Sequence, residues 1–155
     1  MSTRVGVISD THGLVRPQAL RALEGSAVIL VAGDVGKPSV LEALERVAPV
    51  MAIRGNVDVG TWARRLPDQR TAEIAGRRIH LVHDLAKLRI DPGREGIDAV
   101  VFGHSHRPTQ YDRDGVLFFN PGSAGPRRFS LPIAVGRLHV GPEIVGEIVL
   151  LATDP

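Results

Sequence analysis

The sequence predicts an α/β protein, with a parallel sheet in its first half and mainly antiparallel strands in its second half. Three observations predict this class. Short apolar runs that end in polar residues occur five times between Val5 and His106. Helical patterns separate the first three runs, as expected for parallel strands joined by helical crossovers. After about residue 66 the helical patterns stop, and short strands are separated by turn residues.

The five runs are rich in β-branched residues and have the length of buried strands. They cover residues 5–8, 28–31, 50–53, 79–82 and 100–102. The first helix is predicted over residues 17–23, where Pro17 suits the first turn and Gly25 follows the end. The second is predicted over residues 40–44, with Ser39 before it.

The second half of the sequence contains two hairpin patterns. Residues 71–74 are separated from the run at 79–82 by Ala75-Gly76, and residues 109–111 are separated from 116–119 by Asp114-Gly115. Dipeptides of this kind favour tight turns. Further strands are predicted at 132–135 and 144–151, joined around Gly141-Pro142.

Composition indicates one globular domain over residues 1–155, because 43% of the residues are hydrophobic and 23% are charged. The formal net charge is only +2, although the calculated pI is about 9.7. The high pI reflects how few groups titrate between pH 7 and 10, since the chain has two lysines, one Tyr and no Cys. Its arginine doublets are scattered, which argues against a nucleic-acid partner.

The lack of cysteine excludes disulfides and thiolate metal sites, so oxygen and imidazole must hold any metal ion. No apolar run approaches the length of a membrane helix, and the first apolar stretch is too short for a signal sequence. We therefore expect a cytoplasmic protein without a membrane partner. Pairing of sheet edges could form a homo-oligomer, which the sequence leaves open.

Polar residues follow each strand of the predicted sheet, at the edge where α/β proteins gather their functional groups. Residues two apart on a strand share a face. Asp10 can therefore point with His12, and His104 can point with His106. Seven candidate ligands result: Asp10, His12, Asp34, Asn56, His83, His104 and His106. They are too many for one ion and suit two divalent ions about 3.5–4 Å apart that share a carboxylate.

Glycines support this interpretation. Gly33, Gly55 and Gly103 each come directly before a candidate ligand. We expect the backbone to turn sharply or to approach another chain segment closely at these positions.

In order along the chain, the motifs DTH, GD, GN, H and GHSH resemble the five-part signature of the calcineurin-like metallophosphoesterases. The later NPGS stretch at 120–123 resembles the small prokaryotic phosphodiesterase branch of that superfamily. The resemblance implies a four-layer αββα sandwich of two mixed sheets. It also implies that one ion is held by Asp10, His12 and His106, the other by Asn56, His83 and His104, and that Asp34 bridges them.

The function that the resemblance implies is a dinuclear metal-dependent phosphodiesterase. It would hydrolyse small phosphodiesters or activated aryl phosphates by attack of a metal-bridging hydroxide, because two metal ions can lower the pKa of bound water towards about 7. Asp34, Asn56 and His104 are the expected catalytic residues. Two divalent ions are the expected cofactors, with Mn first and Ni, Fe, Co, Zn or Mg as alternatives.

Two positions depart from the superfamily pattern. Val57 occupies the place where many relatives have a histidine thought to protonate the leaving group, so we expect slow turnover except with aryl leaving groups. Asp84 follows His83 where glycine is usual. Asp84 could orient His83 or serve as a turn residue.

Several other residues have a structural and a functional interpretation. Arg54 and Arg107 flank candidate ligands and could contact a phosphate oxygen, although solvated or ion-paired arginine is more common. Asp58 could support the ligands or form a turn. The remaining polar or aromatic candidates are interpreted as structural: His80, His139, and Trp62 with Leu66.

Three alternatives to the phosphodiesterase stay open. A phosphomonoesterase is the nearest, and a nuclease would need a basic groove that the sequence does not display. The third belongs to a different class, because a eukaryotic retromer subunit resembles this fold and works as a scaffold. A non-catalytic scaffold or binding module that retains the metal site is therefore the rival to an enzyme.

Overall fold

Ten β-strands form two five-stranded sheets in the computed structural model, which describes residues 2–152. The first sheet has the strand order β10-β9-β1-β2-β3 and the second has the order β4-β5-β6-β8-β7. In chain order the strands are β1 Thr3–Ile8, β2 Val28–Ala32, β3 Val50–Ile53, β4 Gln69–Ile74, β5 Arg77–Val82, β6 Ala99–Val101, β7 Thr109–Arg113, β8 Val116–Asn120, β9 Ala134–Val140 and β10 Ile144–Leu150.

The first sheet is parallel over β1, β2 and β3, as the alternation of strands and helices predicts. Helix α1 (Pro17–Ala22) connects β1 to β2, and helix α2 (Pro38–Glu45) connects β2 to β3. Both helices begin with proline, whose fixed φ suits the first helical turn. Strand β9 pairs antiparallel with β1, and β10 with β9. The carboxyl ends of the three parallel strands therefore lie at one edge.

The second sheet begins and ends with the two predicted hairpins. The β4–β5 turn has Ala75 and Gly76 at φ +50° and +80°, and the β7–β8 turn has Asp114 and Gly115 at φ +52° and +79°. Positive φ at both central residues is the mark of a type I′ turn, whose twist matches that of the flanking strands.

The centre of the second sheet differs from the prediction. Strand β6 pairs in parallel with β5 on one side and with β8 on the other, so this sheet is mixed and not mainly antiparallel. The crossover from β5 to β6 contains a 3₁₀ helix, Leu85–Lys87, and the one from β6 to β8 passes through β7. An amphipathic α-helix between two strands is the sequence pattern that indicates parallel pairing. Neither crossover carries such a helix, so the sequence did not indicate these parallel pairs.

The main core lies between the two sheets. Val5, Leu30 and Leu138 from the first sheet pack in one apolar cluster with Leu81 and Phe119 from the second. Their burial makes this interface the main apolar contribution to stability. The predicted sandwich of two mixed sheets in an α/β fold is therefore confirmed.

The outer faces of the two sheets are covered unequally. Leu23 of the α1 C-cap and Leu44 of α2 pack on the outer face of the first sheet. The outer face of the second sheet is covered by a 3₁₀ turn and a loop, which contribute Leu85, Leu88 and Ile90. The fourth layer of the sandwich is thus thin.

Some element boundaries differ from the sequence predictions. The strand expected at 132–135 begins at Ala134 and continues to Val140, because it pairs along β1 and β10. Trp62 and Leu66 flank a 3₁₀ helix, Ala63–Arg65, and pack against the cluster under the α-helices, as the structural interpretation expects. Within residues 2–152, none of the helices has the length and apolarity that crossing a bilayer would require.

Candidate metal centre

The loops that follow β1, β2 and β6 carry most of the candidate ligands in a left-handed backbone conformation. Their φ angles are all positive, at 56° for Asp10, 47° for His12, 50° for Asp34, 75° for His104 and 63° for His106. This region costs a non-glycine residue about 1–3 kcal/mol, and such strain persists only where the surroundings fix the backbone. Five strained residues in one set of loops point to a functional site.

Backbone hydrogen bonds hold the first two loops together. The N–H of Asp10 donates to the carbonyl of Gly33 over 3.1 Å, and the N–H of His12 donates to the carbonyl of Asp34 over 2.9 Å. The pairing thus extends beyond the ends of β1 and β2. As a result the side chains of Asp10, His12 and Asp34 face one another.

The three glycines before ligands lie where another part of the chain approaches closely. A Cβ atom on Gly33 would lie 2.7 Å from Nδ1 of His83. One on Gly55 would collide with the backbone and carboxylate of Asp34, and one on Gly103 would collide with Oγ of Ser9. The close approach expected at these positions is present, and any larger residue would push the ligand loops apart.

Asp10 is fully buried at the centre of the cluster. Its Oδ2 accepts hydrogen bonds from Oγ of Ser9 over 2.8 Å and from the N–H of His104 over 3.1 Å. Its Oδ1 faces three imidazoles, with Nε2 of His106 at 3.4 Å, of His83 at 3.8 Å and of His12 at 3.9 Å. One oxygen is therefore fixed by the protein and the other is directed into the cluster.

Asp34 lies between two of the same histidines. Its Oδ2 is 3.1 Å from Nε2 of His83 and 3.7 Å from Nε2 of His12, while its Oδ1 accepts from the N–H of Val57. Burial favours a higher pKa for Asp34, but the contacts with His83 and the Val57 N–H outweigh it and lower the pKa to about 2. Asp34 is therefore an anion at neutral pH.

His83 is oriented by a backbone carbonyl. Its Nδ1 lies 2.7 Å from the carbonyl oxygen of Ala32, which can only accept, so Nδ1 carries a hydrogen and Nε2 is the nitrogen that faces the two carboxylates. Burial favours a lower pKa for His83, but Asp34 and Asp10 raise it overall. For His12, burial dominates and lowers the pKa. An imidazole fixed through one nitrogen and open at the other is typical of a metal ligand.

Asp84 does not orient His83. Its Oδ1 caps the 3₁₀ helix by accepting from the N–H of Ala86 over 3.0 Å. Its Oδ2 lies 3.9 Å from Nε2 of His104. Of the two roles considered for Asp84, the turn is the one the structure displays.

The buried atoms that lack hydrogen-bond partners gather in this cluster. Within residues 2–152, five buried side-chain nitrogen or oxygen atoms have no partner, and four of them belong to candidate ligands. They are Asp10 Oδ1, His12 Nε2, His83 Nε2 and His106 Nδ1. Leaving buried polar atoms unpaired is costly, and a cation would pair with lone pairs of this kind. Imidazole and carboxylate donors suit Mn, Fe, Co, Ni or Zn, so these residues fit a divalent metal.

Two groups have ligand atoms close enough to share an ion, within 4.8 Å of one another. One group is Asp10, His12 and His106, and the other is Asp10, Asp34 and His83. Asp10 belongs to both, so both carboxylates, and not Asp34 alone, lie between the histidines. The rings form matching pairs, with centroids 5.3 Å apart for His12 and His106 and 5.4 Å apart for His83 and His104.

Two predicted ligands lie at the rim of the cluster. The His104 side chain is 48% exposed and is absent from both close groups, although its ring packs edge-on against His83. Asn56 is exposed and lines a cavity together with His83. The structure thus brings five candidate ligands into a buried cluster and places His104 and Asn56 beside it.

Several polar residues that support the ligands were not predicted from the sequence. Nδ2 of buried Asn120 donates to the carbonyl of Gly103 and to Oγ of Ser105, each over 3.1 Å, which holds the GHSH loop. Oγ of Ser123 donates to the carbonyl of Asp10 over 3.0 Å. The NPGS stretch therefore positions two ligand loops. Asn120 follows the apolar run at 116–119, the same signal that marked the ligands themselves.

The two remaining histidines have structural partners. His80 is buried, with Nδ1 2.8 Å from Oγ1 of Thr71, and His139 lies 3.0 Å from a carboxylate oxygen of Glu147. Both agree with their structural interpretation. Arg107 is exposed.

A family model of the calcineurin-like phosphoesterase superfamily domain matches residues 3–142. The chain belongs to this superfamily. A probable metallophosphoesterase of Methanothermobacter thermautotrophicus is 32% identical to this phosphoesterase-family chain over 157 residues, covering 94% of this chain and 91% of that protein. The phosphodiesterase YfcE of Escherichia coli K12 is 30% identical over 155 residues, covering 84% of each chain. The predicted membership of the small prokaryotic branch is confirmed.

Solved structures show the same fold. The structure of YfcE from E. coli aligns with this calcineurin-like chain at a TM-score of 0.67 and 26% identity, covering 88% of each. Vacuolar protein sorting 29 from Cryptosporidium parvum aligns at a TM-score of 0.77 and 23% identity, covering 94% of this chain and 89% of that one. At this identity the second likeness concerns the fold alone.

Proposed function

We propose that this calcineurin-like protein is a dinuclear metal-dependent phosphodiesterase for small phosphodiesters and activated aryl phosphates. The observation that carries the proposal is the cluster of four buried ligand atoms without hydrogen-bond partners, namely one carboxylate oxygen of Asp10 and one ring nitrogen each of His12, His83 and His106. Relatives with the names metallophosphoesterase and phosphodiesterase support the same reaction class. A single domain over residues 1–155 and a cytoplasmic location stay predictions.

Within this proposal, Asp10, His12 and His106 hold one ion, while Asn56, His83 and His104 hold the other. Asp34 lies between them. The two ring pairs and the contacts of Asp34 with both His12 and His83 support this division. When bound, two divalent ions polarise phosphoryl oxygens and produce a nucleophile from water at neutral pH. We expect Mn²⁺ first, with Ni²⁺, Fe²⁺, Co²⁺, Zn²⁺ or Mg²⁺ as alternatives.

The exposed ligands are suited to meet the substrate. His104 and Asn56 lie at the rim, where a phosphate can reach them, whereas Asp10 and His83 are buried. The buried carboxylates keep the inner ligands in place, and a cationic centre attracts a phosphate anion. We therefore assign catalytic roles to Asn56 and His104 at the rim, and to buried Asp34 because its carboxylate faces a histidine of each ligand set.

Residue 57 cannot donate a proton to the leaving group. Val57 is 45% exposed and carries no titratable group. A positioned general acid typically contributes about 10²–10⁴-fold to the rate. Aryl esters, whose leaving groups are stable anions, should therefore be hydrolysed much faster than alkyl esters.

The test is to strip the protein of metal, load it with each divalent ion in turn and measure its activity. Bis-p-nitrophenyl phosphate, p-nitrophenyl phosphate and single-stranded DNA separate a phosphodiesterase from a phosphomonoesterase and a nuclease. We expect Mn²⁺-dependent hydrolysis of the diester in preference to the other two. His139→Ala, which removes a histidine paired with Glu147, is the matched control and should retain the activity.

Metal binding measured by calorimetry completes the test. Hydrolysis of no substrate by a protein that binds ions would favour the alternative of a non-catalytic binding module. A protein that binds no divalent ion would contradict the proposal at its first step.

A further inference from the structure

A cavity of about 180 Å³ adjoins the candidate metal centre on the side of Asn56 and His83. Gly55 and Asp84 also line it, so it opens directly beside the rim ligands. Sites for drug-sized ligands have volumes of about 300–1,000 Å³. This cavity is therefore the size for one small substituent of a substrate.

The outer wall of the cavity is cationic. Arg54, Lys87 and Arg89 line it together with a single wall carboxylate, Asp68. Nε of Arg54 donates to one oxygen of Asp68 over 2.6 Å, and a terminal nitrogen of Arg89 donates to the other over 3.2 Å. Asp68 thus holds two guanidinium groups side by side while its own oxygens are already paired.

Most of the donors on this wall are available to a ligand. Each guanidinium carries five N–H donors, and in the described part of the chain Asp68 is the only side chain that accepts from the guanidinium groups of Arg54 and Arg89. Exposed ion pairs of this kind are weak, so an incoming anion competes with them readily. The three cations outnumber Asp68 and Asp84, the two carboxylates of the cavity.

Gln69, which also lines the cavity, fixes the backbone of the wall. Its Nε2 donates to the carbonyl of Lys87 over 2.7 Å, and its Oε1 accepts from the N–H of Arg89 over 3.4 Å. The same Oε1 lies 2.9 Å from Nε2 of buried His80. His80 and Gln69 therefore anchor the segment that carries two of the cations, which makes the wall a built feature of the fold.

We infer that this cavity binds a second anionic group, a phosphate or a carboxylate, on one arm of the substrate. The inference rests on the proposed phosphodiesterase function and specifies its substrate class: diesters with a further negative charge near the ester. Arg54 and Arg89 would contact that group through paired N–H donors, the geometry that guanidinium offers to carboxylate and phosphate. Arg54 is thus assigned to the arm of the substrate and not to the reacting phosphate.

Four p-nitrophenyl phosphodiesters of similar length test the inference. Their second arm is neutral (ethyl), anionic (2-carboxyethyl or 2-phosphoethyl) or cationic (choline). With the metal-loaded protein at low salt we expect kcat/KM to be about tenfold higher for the anionic arms than for ethyl, and lowest for choline. The carboxylate and phosphate arms show which anion the cavity prefers.

Arginine variants locate the effect. Arg54→Gln and Arg89→Gln should each lower the ratio of kcat/KM between anionic and ethyl arms about fivefold. Arg21→Gln, an exposed arginine on α1, is the control and should keep the ratio. Arg89 is 68% exposed, so its variant tests the inference even if Arg54→Gln folds poorly. Equal kcat/KM for neutral and anionic arms, or a ratio that survives both substitutions, would overturn the inference while the proposed function stands.

A binding measurement separates failure of the anionic subsite from failure of the proposed phosphodiesterase function. Methylphosphonate monoesters with ethyl or 2-carboxyethyl arms lack a good leaving group and can be titrated into the metal-loaded protein. We expect tighter binding of the carboxyethyl ester, lost in Arg89→Gln and kept in Arg21→Gln. Equal affinities for the two esters would reject the anionic subsite even if no diester is hydrolysed.

Discussion

The carboxylate of Asp58 accepts a 2.8 Å hydrogen bond from the backbone N–H of Gly55. The same buried carboxylate accepts from the N–H of Val35 over 3.1 Å and of Gly36 over 2.8 Å. It therefore joins the loop that follows Asp34 to the loop that precedes Asn56. The sequence left two roles open for Asp58, and the structure displays both, because its carboxylate supports the ligand loops and its N–H closes a turn by donating to the carbonyl of Gly55 over 3.3 Å.

Replacing Asp58 with asparagine should separate these loops. The amide NH₂ cannot accept, so at least one of these three backbone N–H groups loses its charged acceptor, which costs about 1–3 kcal/mol. We expect the free energy of unfolding to fall by that amount, and Mn²⁺ affinity to fall about tenfold because the ligand loops are less ordered. Urea unfolding and metal titration measure the two effects. Asp114→Asn, in an exposed hairpin turn that also suits asparagine, is the matched control. An Asp58→Asn protein as stable as wild type would contradict the role assigned to Asp58.

Asp34→Asn tests the shared carboxylate. Asparagine has nearly the same shape and can still accept from the Val57 N–H, so the fold should be retained. The neutral amide removes the anion that faces His12 and His83, and we expect activity on bis-p-nitrophenyl phosphate to fall at least about a hundredfold. The assay is run at saturating Mn²⁺ with Asp114→Asn alongside. Wild-type rates in Asp34→Asn would exclude Asp34 from the metal centre.

The sequence predicted those parts of the site that follow from local patterns. The apolar run before Asp10 and the one before His104 end in polar residues, and both runs form strands that end at the cluster. Gly103 before His104 indicated a close approach, which the contact with Ser9 explains. Each of these signals lies within a few residues of the side chain that it predicts.

The parts that could not be predicted depend on contacts between distant residues. The parallel pairing of β6 with β8 has no helical crossover to indicate it. The hydrogen bond from Asn120 to Gly103 joins residues 17 apart, and the bond from Ser123 to Asp10 joins residues 113 apart. No local pattern indicates the left-handed backbone of His104 or the 48% exposure of its side chain.

The buried histidine behind the cationic wall should make stability depend on pH. Burial lowers the pKa of His80 below its ordinary value of 6.5, although Glu95 opposes the shift. The folded protein therefore binds this proton less readily than the unfolded chain does. The stabilising contribution is present above about pH 6.5 and is lost as the pH falls below it, by at most about 1.4 kcal/mol per pH unit.

His80→Gln isolates this contribution. In metal-free protein, we expect the urea midpoint of wild type to fall between pH 7.5 and pH 5.5 by more than that of His80→Gln, because glutamine does not titrate. Arg21→Gln, an exposed substitution on α1, is the control and should keep the wild-type slope. Equal slopes in His80→Gln and wild type would show that His80 titrates alike in the folded and unfolded states.

The two histidine pairs predict that single substitutions affect the two ions unequally. His104 packs against His83 and lies outside the group of Asp10, His12 and His106. His104→Ala keeps the backbone N–H that donates to Asp10, so that group should remain intact. In His104→Ala we expect the affinity for the Mn²⁺ held with Asn56 and His83 to fall about tenfold or more, while the affinity for the other Mn²⁺ is retained. His12→Ala should instead weaken binding of the ion held with Asp10 and His106. Calorimetric titration with a two-site fit distinguishes them. Equal loss of both ions in His104→Ala would mean that the ligands act as one coupled unit and that the division into two sets is wrong.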